Sequence, residues 1–217
     1  MEDLSYLGFS SRWAASLAQR HNFNEEKQAE LAYAIEILAL NIVNTALILT
    51  LGWILGVFWC TVACLITIAA FRHNAGGGHS ESPWRCALVT MMVFPLLALA
   101  GRHAGLWPST FRDSLTVISL ITGFALLIIY APVDSPKAPI VSPLRRQRLK
   151  KLALSVMVIL AVIITGLRFT SWEKASEVRM CLVFSVLWVS FNLTPWGHQF
   201  WCFIDGFMIR PERRCSG

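Results

Sequence analysis

His79 and Cys86 lie seven residues apart in a polar stretch, Arg72-His73-Asn74-Ala75-Gly76-Gly77-Gly78-His79-Ser80-Glu81-Ser82-Pro83-Trp84-Arg85-Cys86. A histidine can take the proton of a thiol and later give it to a leaving amine, which is the chemistry of a cysteine nucleophile. Ser82-Pro83 reads as a helix start, with serine at the N-cap and proline in the first turn. Cys86 then falls in that first turn. Free N–H groups and the positive end of the helix dipole favour a negatively charged sulfur there. Arg85 is adjacent, and Arg72 could fold back to add positive charge. Gly76, Gly77 and Gly78 permit tight turns and suggest a mobile loop that brings the imidazole over the helix start. His73 is an alternative base or an interfacial residue. His73, His79 and Cys86 could instead ligate a metal, but they lack a fourth ligand of suitable spacing. No metal or other cofactor is therefore expected.

The elements that must hold this stretch are apolar. Of 217 residues, 55% are hydrophobic and 15% charged, against about 25% charged in a soluble domain. Residues 31–71 carry one acidic or basic side chain, Glu36. As one helix they would be about 60 Å long, twice the hydrocarbon core, so two helices with a turn at Gly52-Trp53 or Gly56 are required. Further apolar segments follow at 85–101, 114–131, 152–168 and 179–194, with Pro95 inside one of them. The expected fold is all-α: a single polytopic domain over 1–217, with six transmembrane helices (31–51, 54–71 and the four just named). An amphipathic segment at 1–30 precedes them, with a second helix starting at Asn22 or Asn24. An interfacial, basic segment at 195–217 follows them.

The loop charges orient the spans. Residues 131–151 hold Lys137, Arg145, Arg146, Arg148, Lys150 and Lys151 against Asp134, a net +5. The positive-inside rule puts this loop, both termini and the His79–Cys86 stretch in the cytoplasm. The net charge of +6 is thus mainly a topology signal that also attracts anionic lipid or an acidic peptide. Nothing indicates nucleic-acid binding. The first residues lack the basic region of a cleavable signal peptide. The six cysteines lie mostly in apolar segments and suggest no disulfide framework. Cys60 and Cys64 share a helix face as small hydrophobes.

Arg72-x3-Gly76-Gly77-x-His79-x6-Cys86 resembles the signature of the accessory gene regulator B (AgrB) family of membrane cysteine peptidases. Tyr130-Ala131-Pro132 leading to Pro139-Ile140 before a basic run resembles a second family motif. The resemblance implies an enzyme of the cell membrane that cuts a short AgrD-like propeptide at the cytoplasmic face. The fragment is held as a thioester and cyclised to a thiolactone or lactone, usually a quorum-sensing signal. It assigns Cys86 as nucleophile, His79 as base and acid, and Arg72, Gly76 and Gly77 to shaping the site. Thr90 stands where the family often has serine. The family's lysine cluster is reduced to Lys137, and Arg145, Arg146 and Arg148 are candidates to bind the propeptide's acidic tail. A homodimer is also implied. The third group orienting His79 is open. A transporter, a scaffold or a metal-binding membrane protein is the alternative to an enzyme.

Overall fold

The computed structural model describes residues 8–21, 24–78, 80, 82–133 and 142–207. Eight α-helices are formed among them: α1 (Gly8–His21), α2 (Glu25–Ile54), α3 (Phe58–Ala75), α4 (Pro83–Gly105), α5 (Ser109–Tyr130), α6 (Pro143–Gly166), α7 (Ala175–Leu193) and α8 (Pro195–Phe207), with a 3-10 turn at Leu167–Phe169. No strand occurs among the described residues. The all-α reading holds.

Two units make up the chain, Met1–Leu47 and Ile48–Gly217. The first contains α1 and most of α2. Asn24, not Asn22, begins α2: its Oδ1 accepts the backbone N–H of Lys27 at 3.0 Å, which satisfies one of the N–H groups that every helix start leaves unpaired. The last turns of α2 belong to the second unit. There the α2–α3 turn falls at Gly56, whose φ of 69° suits a residue without Cβ.

Among the described residues, five helices are long and apolar enough to cross a membrane: α2, α4, α5, the α6 helix with its 3-10 extension, and α7. The chain is a multi-pass membrane protein. The other expected span, α3, has 18 residues and closes on Arg72 and His73. It would be about 27 Å long against a hydrocarbon core of roughly 30 Å, so its charged last turn reaches the interface. Side-chain exposure agrees with a lipid solvent. Helix α5 exposes Val117, Ile118, Ile121, Ile128 and Ile129, and α6 exposes Val158, Ile159 and Val162. Contiguous apolar surface of this kind marks contact with membrane or partner.

Helix α7 is the centre of the second unit, in contact with α3, α4, α5, α6 and α8. Twelve of its residues are buried, from Ala175 to Leu193, the pattern of a helix enclosed by others. Small residues allow close approach, as membrane helices require. Gly101 of α4 sits directly on Cys181 of α7, where a Cβ would come within 2.1 Å of the sulfur. Cys60, Cys64 and Cys181 are free and fully enclosed, as small apolar side chains would be.

The two ends of the bundle differ. At one end lie the Gly56 turn, the α4–α5 connection and the start of α7. Buried Arg179 donates there to Asp113 at 2.8 Å and to Thr116 at 3.0 Å. Arg168 also pairs with Asp113. A buried guanidinium is tolerated only when paired in this way. The opposite end gathers the C-termini of α3, α5 and α7 with the N-termini of α4, α6 and α8. Ser80 and the start of α4, with Cys86, belong to this second end.

Candidate active site

Helix α4 starts at the expected place. Ser82 has φ −101° and ψ 125°, and Pro83 follows in the first turn. The capping differs in one respect, because the Ser82 hydroxyl makes no cap bond. The Ser80 hydroxyl accepts the Ser82 N–H instead, at 3.2 Å. Cys86 donates its own N–H to the Ser82 carbonyl at 3.1 Å, closing the first helical hydrogen bond.

The Cys86 side chain is 8% exposed. Its sulfur accepts a hydrogen bond from Nη2 of Arg72 at 3.3 Å. A guanidinium in the last turn of α3 thus reaches across to the first turn of α4. Hydrogen bonds to charged groups contribute about 1.5–3 kcal/mol, more than a typical neutral pair, and this one holds a guanidinium against the sulfur. Arg85, the other candidate for that role, points elsewhere. Its Nη1 donates to the Asp205 carbonyl oxygen at 3.1 Å and lies 3.4 Å from the Asp205 carboxylate.

The three glycines lie in close contact with other elements. Gly76 ends α3 with φ 70° and ψ −141°, backbone that only glycine adopts without strain. A Cβ there would lie 2.4 Å from the Val133 carbonyl oxygen. The Val133 N–H donates to the Ala75 carbonyl at 2.9 Å. Gly77 has φ 123° and abuts the backbone of Asn192. The Gly78 N–H donates to the Asn192 carbonyl at 2.9 Å. A Cβ on Gly78 would come within 2.6 Å of Trp201 Cδ1. Close approach to the backbones of Val133 and Asn192 and to the ring of Trp201 favours glycine at these positions.

These contacts join the two stretches that the sequence singled out. Ala131–Val133, at the end of α5, lies against Ala75 and Gly76, ten to eleven residues before Cys86. Beside Ala131 and Pro132 opens a cleft of about 370 Å³, bounded also by Tyr130, Arg146 and Lys150. The Lys150 ammonium donates to the Ile128 carbonyl at 2.6 Å, near the C-terminus of α5, where a positive charge is favourable. Arg145, Arg146 and Arg148 are exposed on the first turns of α6.

Of the site residues read from sequence, Arg72 and Cys86 are brought together, while Gly76 packs on Val133 and Gly77 on Asn192. Thr90 meets the backbone at Cys86: its hydroxyl donates to the Cys86 carbonyl at 2.9 Å and the Ala87 carbonyl at 2.8 Å. His73 is exposed. His79 and Lys137 lie outside the described residues, although the neighbours of His79, Gly78 and Ser80, are both held by hydrogen bonds. No group of three or more His, Cys, Asp or Glu suited to a metal ion occurs among the described residues.

Three residues of the site were not read from sequence. Asn192 receives the Gly78 N–H through its carbonyl and the Trp201 indole N–H through Oδ1, the latter at 2.6 Å. Trp201 of α8 covers Gly78. Asp205 of α8 accepts the Ser80 hydroxyl at 2.5 Å. A signal was present: Asp205 is the lone carboxylate between Val178 and Phe207, in an otherwise aromatic segment.

Comparison with known proteins gives the family of the chain. The family model for accessory gene regulator B matches residues 10–193. An AgrB-like protein 2 of Clostridium perfringens (strain 13 / Type A) is 24% identical over 200 residues, 89% of this chain and 94% of that protein. The accessory gene regulator protein B of Staphylococcus aureus (strain Newman) is 28% identical over 156 residues, 71% of this chain and 78% of that protein. That of Staphylococcus carnosus (strain TM300) is 26% identical over 151 residues, 70% and 76% of the two chains. No solved structure matches. With 184 residues matched, from 10 to 193, the chain belongs to the accessory gene regulator B family.

Proposed function

We propose that this protein is a membrane cysteine endopeptidase that cuts a short propeptide and cyclises the fragment it retains. The observation that carries the reading is the Arg72 guanidinium 3.3 Å from the sulfur of Cys86, at a helix start where the dipole acts in the same sense. Family membership supports a place in an accessory gene regulator system, in which the cyclic peptide would serve quorum sensing.

In this reading His79 takes the Cys86 thiol proton as the sulfur attacks the scissile carbonyl. The C–N bond breaks, and the leaving amine of the C-terminal fragment departs with the proton from His79. The N-terminal fragment remains as a thioester on Cys86. A thiol or hydroxyl within that fragment then attacks the thioester carbonyl and loses its proton to His79. The ring closes as a thiolactone or lactone, and the proton returns to the Cys86 sulfur. No net redox change or cofactor is required.

The exposed Arg145, Arg146 and Arg148, with the cleft between Arg146, Lys150 and Pro132, suit an acidic tail on the propeptide. Lys137 extends the same basic loop in sequence. This end of the bundle carries Arg72, Arg85 and the basic start of α6. By the positive-inside rule it faces the cytoplasm, and six crossings, α3 included, would leave both termini there. Any homodimer would have to leave this end accessible.

The test is direct. Incubating the purified protein in liposomes with propeptide and quenching in acid should give Cys86 heavier by the mass of the N-terminal fragment. Propeptide that disappears with no adduct on Cys86, or that crosses the bilayer intact, would favour the transporter reading. Arg72→Ala should slow cleavage roughly 10–100-fold, the equivalent of a lost charge-assisted hydrogen bond. Arg72→Lys should recover part of that, since it keeps the charge without the planar fork. An Arg72→Ala protein that cleaves at the wild-type rate would remove the main support for the reading.

A further inference from the structure

We propose that Asp205 is a positioning residue that ties the His79–Cys86 stretch to helix α8, so that the C-terminal helix sets the geometry of the reacting pair. The inference rests on the peptidase reading for its consequence, but its geometry stands apart from it.

Ser80 immediately follows His79, and Arg85 immediately precedes Cys86. Both converge on one carboxylate. The Ser80 hydroxyl, 5% exposed, donates to Asp205 Oδ1 at 2.5 Å. The same hydroxyl accepts the Ser82 N–H at 3.2 Å, so it fixes the approach to α4 as well. Arg85 holds Asp205 from the other side, through the carbonyl at 3.1 Å and the carboxylate at 3.4 Å. The side chains of Arg85 and Asp205 are 19% and 14% exposed, so water competes little for this pair. Moving α8 would therefore shift both flanks of the stretch together.

Helix α8 is itself anchored. Trp201 is 4% exposed and bonded to Asn192 of α7. Phe200 packs edge-on against Trp188 at 6.0 Å and Phe191 at 5.8 Å, both on α7. The route from the central helix to the site thus runs α7, Trp201, α8, Asp205, and then Ser80 and Arg85. Helix α8 begins at Pro195, beyond the 10–193 segment that defines family membership.

The test uses the full-length protein in liposomes with Asp205→Ala, Asp205→Asn and Ser80→Ala. Misplacing a reacting group by about 1 Å costs on the order of 100-fold. Asp205→Ala should therefore lower kcat for propeptide cleavage roughly 10–100-fold, with KM changed by no more than about twofold. Asp205→Asn keeps an acceptor for Ser80 but not the charge opposite Arg85, and should fall in between. The Ser80→Ala/Asp205→Ala double variant should lose less than the two single effects combined, because the Ser80–Asp205 link is removed in both.

A second readout needs no turnover. The rate at which N-ethylmaleimide modifies Cys86, followed by mass spectrometry of its tryptic peptide, should rise several-fold in Asp205→Ala as the stretch is released. Wild-type kcat together with wild-type alkylation in Asp205→Ala would overturn the proposal. So would a loss carried entirely by KM, or fully additive Ser80 and Asp205 effects. Should Cys86→Ala still cleave the propeptide, the peptidase reading fails while the alkylation rates still decide the role of Asp205.

Discussion

Cys86→Ala is expected to abolish propeptide cleavage, a loss of at least about 1,000-fold, while the protein still inserts and purifies normally. His79→Ala is expected to do the same. The argument for Cys86 is its setting. The sulfur sits in the first turn of α4, is 8% exposed and accepts from Arg72. Replacing it with alanine removes one small atom from the edge of the bundle and leaves the Ser82–Cys86 backbone hydrogen bond in place, so folding should be little affected. The argument for His79 is chemical: the thiol proton needs an acceptor, and the leaving amine needs a donor of matching basicity. Groups that act as a unit are not additive. The Cys86→Ala/His79→Ala double variant should therefore be no less active than either single one. Band-shift or mass-spectrometric detection of the released C-terminal fragment checks this. Cleavage by Cys86→Ala at the wild-type rate would end the peptidase reading.

The second large effect is expected at Gly76. Gly76→Ala should lower both cleavage, by more than about 100-fold, and the unfolding temperature in detergent. Two costs add. The φ of 70° with ψ −141° is strained for any residue with a Cβ, by about 1–3 kcal/mol. That Cβ would also lie 2.4 Å from a backbone oxygen, the Val133 carbonyl, which cannot rotate away as a side chain would. Relief requires moving Val133 and breaking its hydrogen bond to Ala75, which detaches the end of α5 from the turn that leads to His79. Gly166→Ala is the matched control. Nothing lies within 4 Å of a Cβ there, and alanine favours the helix by roughly 0.5–1 kcal/mol. It should leave cleavage unchanged and the unfolding temperature equal or slightly higher. Wild-type cleavage and stability in Gly76→Ala would show that the α3–α5 junction is not part of the site.

How far each conclusion could be read from the chain depends on the range of the forces involved. Composition and the lengths of apolar runs determined the all-α membrane fold, because a bilayer leaves an unpaired backbone nowhere to go except into helices. A turn at Gly52-Trp53 or Gly56 was also legible, of which the fold takes Gly56 and leaves Gly52-Trp53 inside α2, and so was the start of α4 at Ser82-Pro83, since turns and helix starts depend on a few adjacent residues. So was the candidate nucleophile, through the spacing of Arg72, Gly76, Gly77, His79 and Cys86.

What only the tertiary structure decided was which partner each polar group takes. Local sequence placed two arginines near Cys86 and could not choose between them. The fold gives Arg72 to the sulfur and Arg85 to Asp205, which is 120 residues away in the chain. Likewise the three glycines suggested freedom by their composition, whereas the backbones of Val133 and Asn192 and the ring of Trp201 give them close packing. Hydropathy and capping are properties of neighbouring residues. A hydrogen bond between α4 and α8 exists only once α7 has brought both to one end of the bundle, and no local free energy records it.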